Sequence, residues 1–239
     1  YTAAFDICKN HSDENFAGSF ALISNAEWMT LAREIENNPK NWSSGIVGSG
    51  MLAKGHSDAI DFDFAQTNTI ATVTNITDPA DYYDQTGNSA SQPYRPDAGF
   101  DMEVYNGGSS IYGWEQRRVH YLESDEIIWD LSGNAAEYVD WSSGDEDYTF
   151  GPTDAFVDKE EVTDLFGSML AEDLSPFGNY DSSNGVGKWV MRDDNSRGVV
   201  LRGGHVTEGS VAGIYSLATT LNKTNTGVGT VSFRCVYRP

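Results

Sequence analysis

Positive charge and long apolar runs are both scarce in this chain. Only 15 of its 239 residues are Lys or Arg, against 36 Asp and Glu, which gives a formal net charge of −21. A field of that sign repels phosphate backbones and anionic lipid headgroups. The sequence also lacks a run of about 18 apolar residues, the length that a membrane-spanning helix requires. Nucleic acid and direct membrane insertion are therefore disfavoured.

Cysteine is scarce as well, with Cys8 near the start of the sequence and Cys235 near its end. Two cysteines are compatible with two buried thiols or with one bridge that closes nearly the whole chain, and the count does not choose between them. If the bridge forms, the chain-entropy model gives a stabilisation of about 4 to 5 kcal/mol. Because the sequence begins with Tyr1, we expect any export signal or anchor to have been removed or omitted.

Regular elements are predicted mainly towards the two ends of the chain. A capping box from Ser24 to Glu27 predicts a helix over residues 25–36, which stops before Pro39. A second helical pattern covers residues 158–171. Residues 41–101 predict long irregular structure held by isolated aromatic side chains. Strand-like segments cluster late without βαβ alternation, so we expect one α+β domain over residues 1–239, with mostly antiparallel strands, few helices and long loops.

The segment from Leu201 to Pro239 is the most informative part of the sequence. An apolar run over residues 199–201 stops at a Gly203-Gly204 turn, and apolar residues alternate with others from 231 to 237, so both flanks predict strands. Small residues lie between them, mainly Thr, Gly, Ser, Asn and Ala. Their short side chains suit contact with a ligand. A loop-rich hairpin with no ligand has a similar composition.

Three motifs occur in the same order as in a known family. They are LISNAEWMTLAREI at 22–35, IWDLSGNAAEYVDW at 128–141, and LRGGHV followed by VSFRCVYR between 201 and 238. Together they resemble the formylglycine-generating-enzyme branch of the C-type lectin fold, whose signatures are an AEW helix, a GN-x-W-E-W segment, an RGG turn and a GFRC strand. Ala136 and Tyr138 replace the two Trp of the second signature, and Val231-Ser232 precedes Phe233 where Gly is usual. The resemblance implies a C-type lectin fold over nearly the whole chain.

The enzymes of this branch carry metal ligands that the sequence lacks. Formylglycine-generating enzymes place two cysteines soon after the RGG turn, whereas residues 205–215 contain no Cys and have Glu208 and Gly213 near those positions. Related sulfoxide synthases bind iron through clustered histidines. The four histidines here stand singly, without an i, i+4 pair: His11, His56, His120 and His205. The resemblance therefore favours a member that is not an enzyme and has no redox cofactor.

The remaining members of the branch are variable proteins of diversity-generating retroelements, including archaeal ones. They display a mutagenised segment just before the chain end. The RGG motif, the Asn/Thr-rich stretch after it and the final FRCVYR sequence resemble that arrangement. Residues 201–239 would then be a hypervariable segment of a ligand-binding or adhesion protein on a cell or virion surface, outside the cell. Its partner would be a protein or glycan on another cell or virus. A metal-dependent oxidase and a calcium-dependent sugar-binding lectin are the alternatives.

Candidate ligand contacts are expected on the outward half of the strands and at the loop tips of this segment. They are His205, Thr207, Glu208, Ser210, Val211, Tyr215, Ala218, Thr220, Asn222 and Asn225. By contrast, Ile214 and Leu217 are expected to fill the core, and Arg202 to anchor the turn through carboxylate or carbonyl contacts.

One cofactor is compatible with the resemblance, a structural calcium ion. Asn134 and Glu137 occupy positions that bind calcium in the enzymes of the family, and amide and carboxylate oxygens are suitable ligands for a hard cation. The other interpretation is that Asn134 shapes a turn and that Glu137 is exposed.

Overall fold

The structure, a computed structural model, describes residues 1–13, 17–55, 57, 119–141, 156–158, 174–190, 198–205, 208–222 and 230–239. All but the first residue of the helix predicted over residues 158–171, and most of the irregular stretch predicted over residues 41–101, lie outside the described residues. Two α-helices are present in the described part, α1 (Thr2–Asn10) and α2 (Asn25–Asn37). Neither of them is long and apolar enough to cross a membrane.

Helix α2 forms where the capping box predicts it and runs one residue further, to Asn37. The Ser24 hydroxyl accepts a hydrogen bond from the Glu27 amide at 3.2 Å, and the Ser24 amide donates to the Glu27 carboxylate at 2.8 Å. At the other end Asn38 is extended, as the residue before a proline tends to be. Helix α1 has no such signal, because its N-cap residue makes no side-chain hydrogen bond, and the sequence did not predict it.

Nine strands occur in the described residues: β1 (Ser19–Leu22), β2 (Val119–Tyr121), β3 (Ile127–Trp129), β4 (Ala136–Tyr138), β5 (Trp189–Val190), β6 (Gly198–Gly203), β7 (Gly213–Asn222), β8 (Val231–Phe233) and β9 (Cys235–Arg238). Five of them form one sheet in the order β5-β7-β6-β4-β8. Strand β6 is antiparallel to both β7 and β4, and the two outer pairs are parallel. The β1–β9 and β2–β3 pairs are antiparallel. The predicted α+β class with mostly antiparallel strands is therefore confirmed.

Two clusters of buried apolar side chains lie on opposite sides of β6. Val200 belongs to the main cluster, which joins α2 to β5, β6 and β7. Its neighbours Val199 and Leu201 belong to a second cluster with residues of α1, β1 and β4. This division follows from the alternation of side chains along a strand. Strand β6 is thus packed on both faces, which holds the start of the C-terminal segment in place.

Cys8 and Cys235 form a disulfide bond, so the choice that the sequence left open is settled. The bond joins α1 to β9. Strand β9 also pairs with β1, with Ser19 opposite Arg238. These contacts bring the first and last described elements side by side.

A salt bridge between Glu27 and Arg238 ties α2 to β9. Arg238 donates from Nε at 3.0 Å and from Nη2 at 2.8 Å, and these hydrogen bonds hold the pKa of Glu27 at about 2. Because the folded-state pKa is depressed, the stabilisation is present above the ordinary value of 4.5 and is lost as the pH falls through about 2. We expect Glu27→Gln to lower the free energy of unfolding at pH 7 by no more than about 1 kcal/mol, since solvent screens the pair.

Urea unfolding of both proteins at neutral and acidic pH measures this effect. The difference between wild type and Glu27→Gln should shrink as the pH is lowered from 4.5 towards 2. A difference that stays constant over that range would contradict the assignment.

Candidate binding tip of the C-terminal segment

The tip of the C-terminal segment, by which we mean residues 203–205 and 208–212, follows directly from β6. Gly203 and Gly204 have positive φ angles of 85° and 72°. A Cβ atom on Gly203 would lie 2.7 Å from the Leu131 carbonyl oxygen, and one on Gly204 would lie 2.6 Å from Cα of Ala212. Both positions therefore require glycine, so the RGG motif determines how the chain leaves the sheet.

Arg202, the first residue of that motif, is completely buried. Its Nε and Nη2 atoms donate to the side-chain oxygen of Asn25 at 3.0 and 2.7 Å, and Nη1 donates to the Tyr215 carbonyl oxygen at 3.4 Å. Burial lowers the pKa of the guanidinium group to about 9. Arg202 is an anchor, as the sequence predicted, although one of its acceptors is an amide side chain.

Glu208 closes the turn at the start of the tip. Its Oε2 atom accepts a hydrogen bond from the His205 amide at 2.8 Å, and its Oε1 atom lies 3.2 Å from His205 Nε2. Burial raises the pKa of the Glu208 carboxyl group, and the charge of His205 acts in the opposite direction. His205 and Glu208, which were both predicted as ligand contacts, therefore also stabilise the conformation of the tip.

Hydrogen bonds from two other parts of the chain hold the tip backbone. The Gly209 amide donates to the Ser57 carbonyl oxygen at 2.7 Å, and the Lys188 amide donates to the Val211 carbonyl oxygen at 3.0 Å. Both bonds use main-chain atoms, so they do not depend on which side chain occupies position 211, whereas the φ angle of 57° at position 209 favours glycine. The backbone at Val211 is thus held independently of that side chain.

The structure places the predicted contact residues in several different surroundings. Ser210 is exposed, and the half-buried ones are His205, Glu208, Val211 and Ala218. Ala218 packs against the second core cluster, so its surface is shared with the core. Thr207 and Asn225 lie outside the described residues. Thr220 and Asn222 lie on β7, where only their backbone is described.

Tyr215 was predicted as a ligand contact, and this prediction is wrong. The residue is 1% exposed, and its hydroxyl group donates to Glu36 Oε2 at 2.5 Å. Burial, followed by the nearby Glu36 carboxylate, raises the pKa of the phenol strongly. Ile214 and Leu217 are fully buried in the main cluster, as the sequence predicted. The first half of β7 is therefore core and cannot contact a ligand in this structure.

Glu36 is a residue that the sequence analysis missed. It is 2% exposed and accepts hydrogen bonds from the Phe177 amide at 3.3 Å and the Gly178 amide at 3.2 Å, in addition to the Tyr215 hydroxyl. A buried carboxylate needs such donors to offset its lost hydration. The available signal was its position four residues after Ala32, which places Glu36 on the apolar face of α2.

The two residues of the possible calcium site have different roles in the structure. Asn134 has a φ angle of 58° and lies in the turn before β4. Glu137 is 4% exposed, which contradicts the expectation of an exposed side chain, and both of its carboxylate oxygens accept hydrogen bonds from Arg234. Burial raises the pKa of Glu137, and Arg234 opposes that shift. The Glu137 carboxylate is therefore paired with a guanidinium group in this structure.

Among the described residues, no group of three or more His, Cys, Asp and Glu side chains is placed to hold a metal ion. Comparison of the sequence with known proteins finds no matching family model and no matching curated protein.

Removal of the Tyr215 hydroxyl tests the link between β7 and α2. We expect Tyr215→Phe to lower the free energy of unfolding by about 1 to 3 kcal/mol, because the Glu36 carboxylate stays buried and loses a donor. Ser210→Ala is the matched control, since it also removes a hydroxyl from the same segment but at an exposed position, and it should change stability by less than about 0.5 kcal/mol. Equal effects in chemical denaturation would contradict the assigned roles.

Proposed function

We propose that this protein is a non-enzymatic binding protein that presents exchangeable side chains at the tip on a rigid frame, as a variable protein of a diversity-generating retroelement does. The observation that carries the proposal is the separation of roles within the tip. Glycines, main-chain hydrogen bonds and the Glu208 carboxylate hold its backbone, while Ser210 is exposed and Val211 is partly exposed. Side chains can then differ without a change of fold.

We also propose that the chain has a C-type lectin fold. The way in which the three sequence motifs meet supports this fold. Trp28 of the first motif donates to the Ile214 carbonyl oxygen at 2.8 Å, behind the tip. Glu137 of the second motif lies opposite Arg202 in the β4–β6 pair. Arg234, close to the chain end, bonds Glu137. Motifs far apart in the sequence thus converge on one sheet next to the proposed binding surface.

A preformed tip has an energetic advantage in recognition. When a loop must become ordered on binding, the lost conformational entropy subtracts from the affinity of every variant. At this tip the backbone bonds from Gly209 and to Val211 are already made in the free protein. Each new side chain would therefore change the contacts with a partner without adding a separate ordering cost.

The charge and the disulfide bond bear on the partner and its location. With a net charge of −21, the surface favours a neutral or basic protein or glycan over an anionic one. The Cys8–Cys235 bond is of a kind that persists in oxidising surroundings. The disulfide bond supports a role outside the cell, at a cell or virion surface.

Simultaneous substitution of two tip side chains tests whether the fold is kept when those side chains change. We expect Ser210→Tyr combined with Val211→Asn to keep the free energy of unfolding within about 1 kcal/mol of wild type, because surface substitutions have small effects. The matched control is Ile214→Asn in β7, which buries an amide in the main cluster and should cost about 3 kcal/mol or more. Thermal or urea unfolding of the two variants measures this, and loss of folding in the tip variant would contradict the proposal.

Three further observations would bear on the function itself. A near-copy of the coding sequence for residues 201–239 that differs only at adenines, next to a reverse transcriptase gene, would support retroelement variation. Stoichiometric copper or iron in the purified protein would instead favour an oxidase. Binding to a glycan array that disappears with a chelator would favour a calcium-dependent lectin.

A further inference from the structure

The Asn-x-Ser/Thr sequons of the chain have unlike surroundings in the structure. The sequence contains four of these acceptor motifs for N-linked glycosylation, at Asn10, Asn41, Asn75 and Asn222. The side chains of Asn10 and Asn41 are described, whereas Asn75 lies outside the described residues and only the backbone of Asn222 is described. A glycan is bulky and needs a surface position, so burial decides which of the first two can carry one.

Asn41 is closed to a glycan in the folded protein. Its side chain is completely buried, and its Nδ2 atom donates to the carbonyl oxygens of Ile35 at 2.9 Å and Tyr121 at 2.7 Å. Because an amide nitrogen carries two hydrogen atoms, both are used in these bonds. Attachment of a sugar replaces one of the two hydrogens, so it would break a buried hydrogen bond and place a sugar ring in the interior.

Asn10 has the opposite environment. It is the last residue of α1, and it is exposed, as are His11 and Ser12, which complete its sequon. The chain leaves the helix in an extended conformation at His11, with φ −69° and ψ 136°. All three residues of this sequon therefore lie at the surface, at the point where the helix ends.

An apolar side chain lies near Asn10 on the same face of α1. Ile7 is 55% exposed, and it precedes Asn10 by three positions, so the two residues are neighbours on the helix surface. A sugar chain attached to Asn10 would extend beside Ile7 and reduce the contact of that side chain with water.

We propose that Asn10 is the acceptor of an N-linked oligosaccharide when the chain is exported, and that Asn41, despite its sequon, is not. This proposal rests on the location outside the cell that is part of the proposed function, since N-linked glycans belong to secreted proteins. The donor is a lipid-linked oligosaccharide. Nδ2 of Asn10 loses one proton and forms a bond to C1 of the first sugar, the bond from that carbon to the lipid phosphate oxygen breaks, and the lipid phosphate leaves with the proton.

Secretion of the full chain from a eukaryotic cell line, with an added export signal, tests this assignment. Peptide-N-glycosidase converts each glycosylated Asn to Asp, so peptide mass spectrometry reads every sequon separately, with an untreated sample to correct for spontaneous deamidation. We expect conversion of Asn10 in most secreted molecules, and Asn41 should remain Asn. An unmodified Asn10 in the folded, secreted protein would overturn the proposal, and so would a glycan on Asn41.

Two substitutions at Ser12 form a matched pair, because both leave Asn10 itself in place. Ser12→Ala destroys the sequon and should abolish the conversion of Asn10, whereas Ser12→Thr keeps the sequon and should preserve it. Circular dichroism should show the same fold in both variants, since Ser12 is exposed. Conversion that persists in Ser12→Ala would contradict the assignment. The tip is unchanged in both variants, so these results are independent of whether the tip binds a partner.

Discussion

The rest of the structure depends on the buried hydrogen bonds between α2 and the two strands that carry the tip. Asn25 at the start of the helix accepts from Arg202, Trp28 donates to the Ile214 carbonyl, and Glu36 near its end accepts from Tyr215. The first and last of these helix residues are about 16 Å apart at the normal helical rise. Because polar groups left unpaired in a low-dielectric interior are costly, each bond strongly restrains the position of β6 or β7.

This attachment explains why the backbone of the tip is restrained, unlike that of an ordinary surface loop. It begins at two glycines that fit closely against other backbone, and it ends where β7 enters the main core cluster. Its backbone is hydrogen-bonded to two other parts of the chain, through the carbonyl oxygen of Ser57, which accepts, and the amide of Lys188, which donates. Under the proposed function, variation at an exposed position such as Ser210 would act on recognition, whereas variation at Tyr215 would act on stability.

Sequence reasoning succeeded where the signal was local and failed where it depended on distant partners. The capping box at Ser24 predicted α2 because its two bonds lie within four residues, and the RGG motif predicted the turn because glycine alone tolerates its φ angles. Tyr215 was misassigned because nothing near it in sequence reveals that a carboxylate of α2 meets its hydroxyl group. For Glu137, neither the possible role as a calcium ligand nor that as an exposed side chain pointed to its partner Arg234, which lies 97 positions away.

By itself, the sequence determined the α+β class, the position of α2, the glycine turn and the acidic character of the surface, since each follows from backbone geometry, short-range periodicity or composition. Only the tertiary structure decided that Ser210 is exposed while the first half of β7 is buried, that Cys8 meets Cys235, and that Glu36 is buried beneath β7. The physical reason is that burial and pairing between distant residues are set by the packing of helices on the sheet, which no short stretch of sequence specifies.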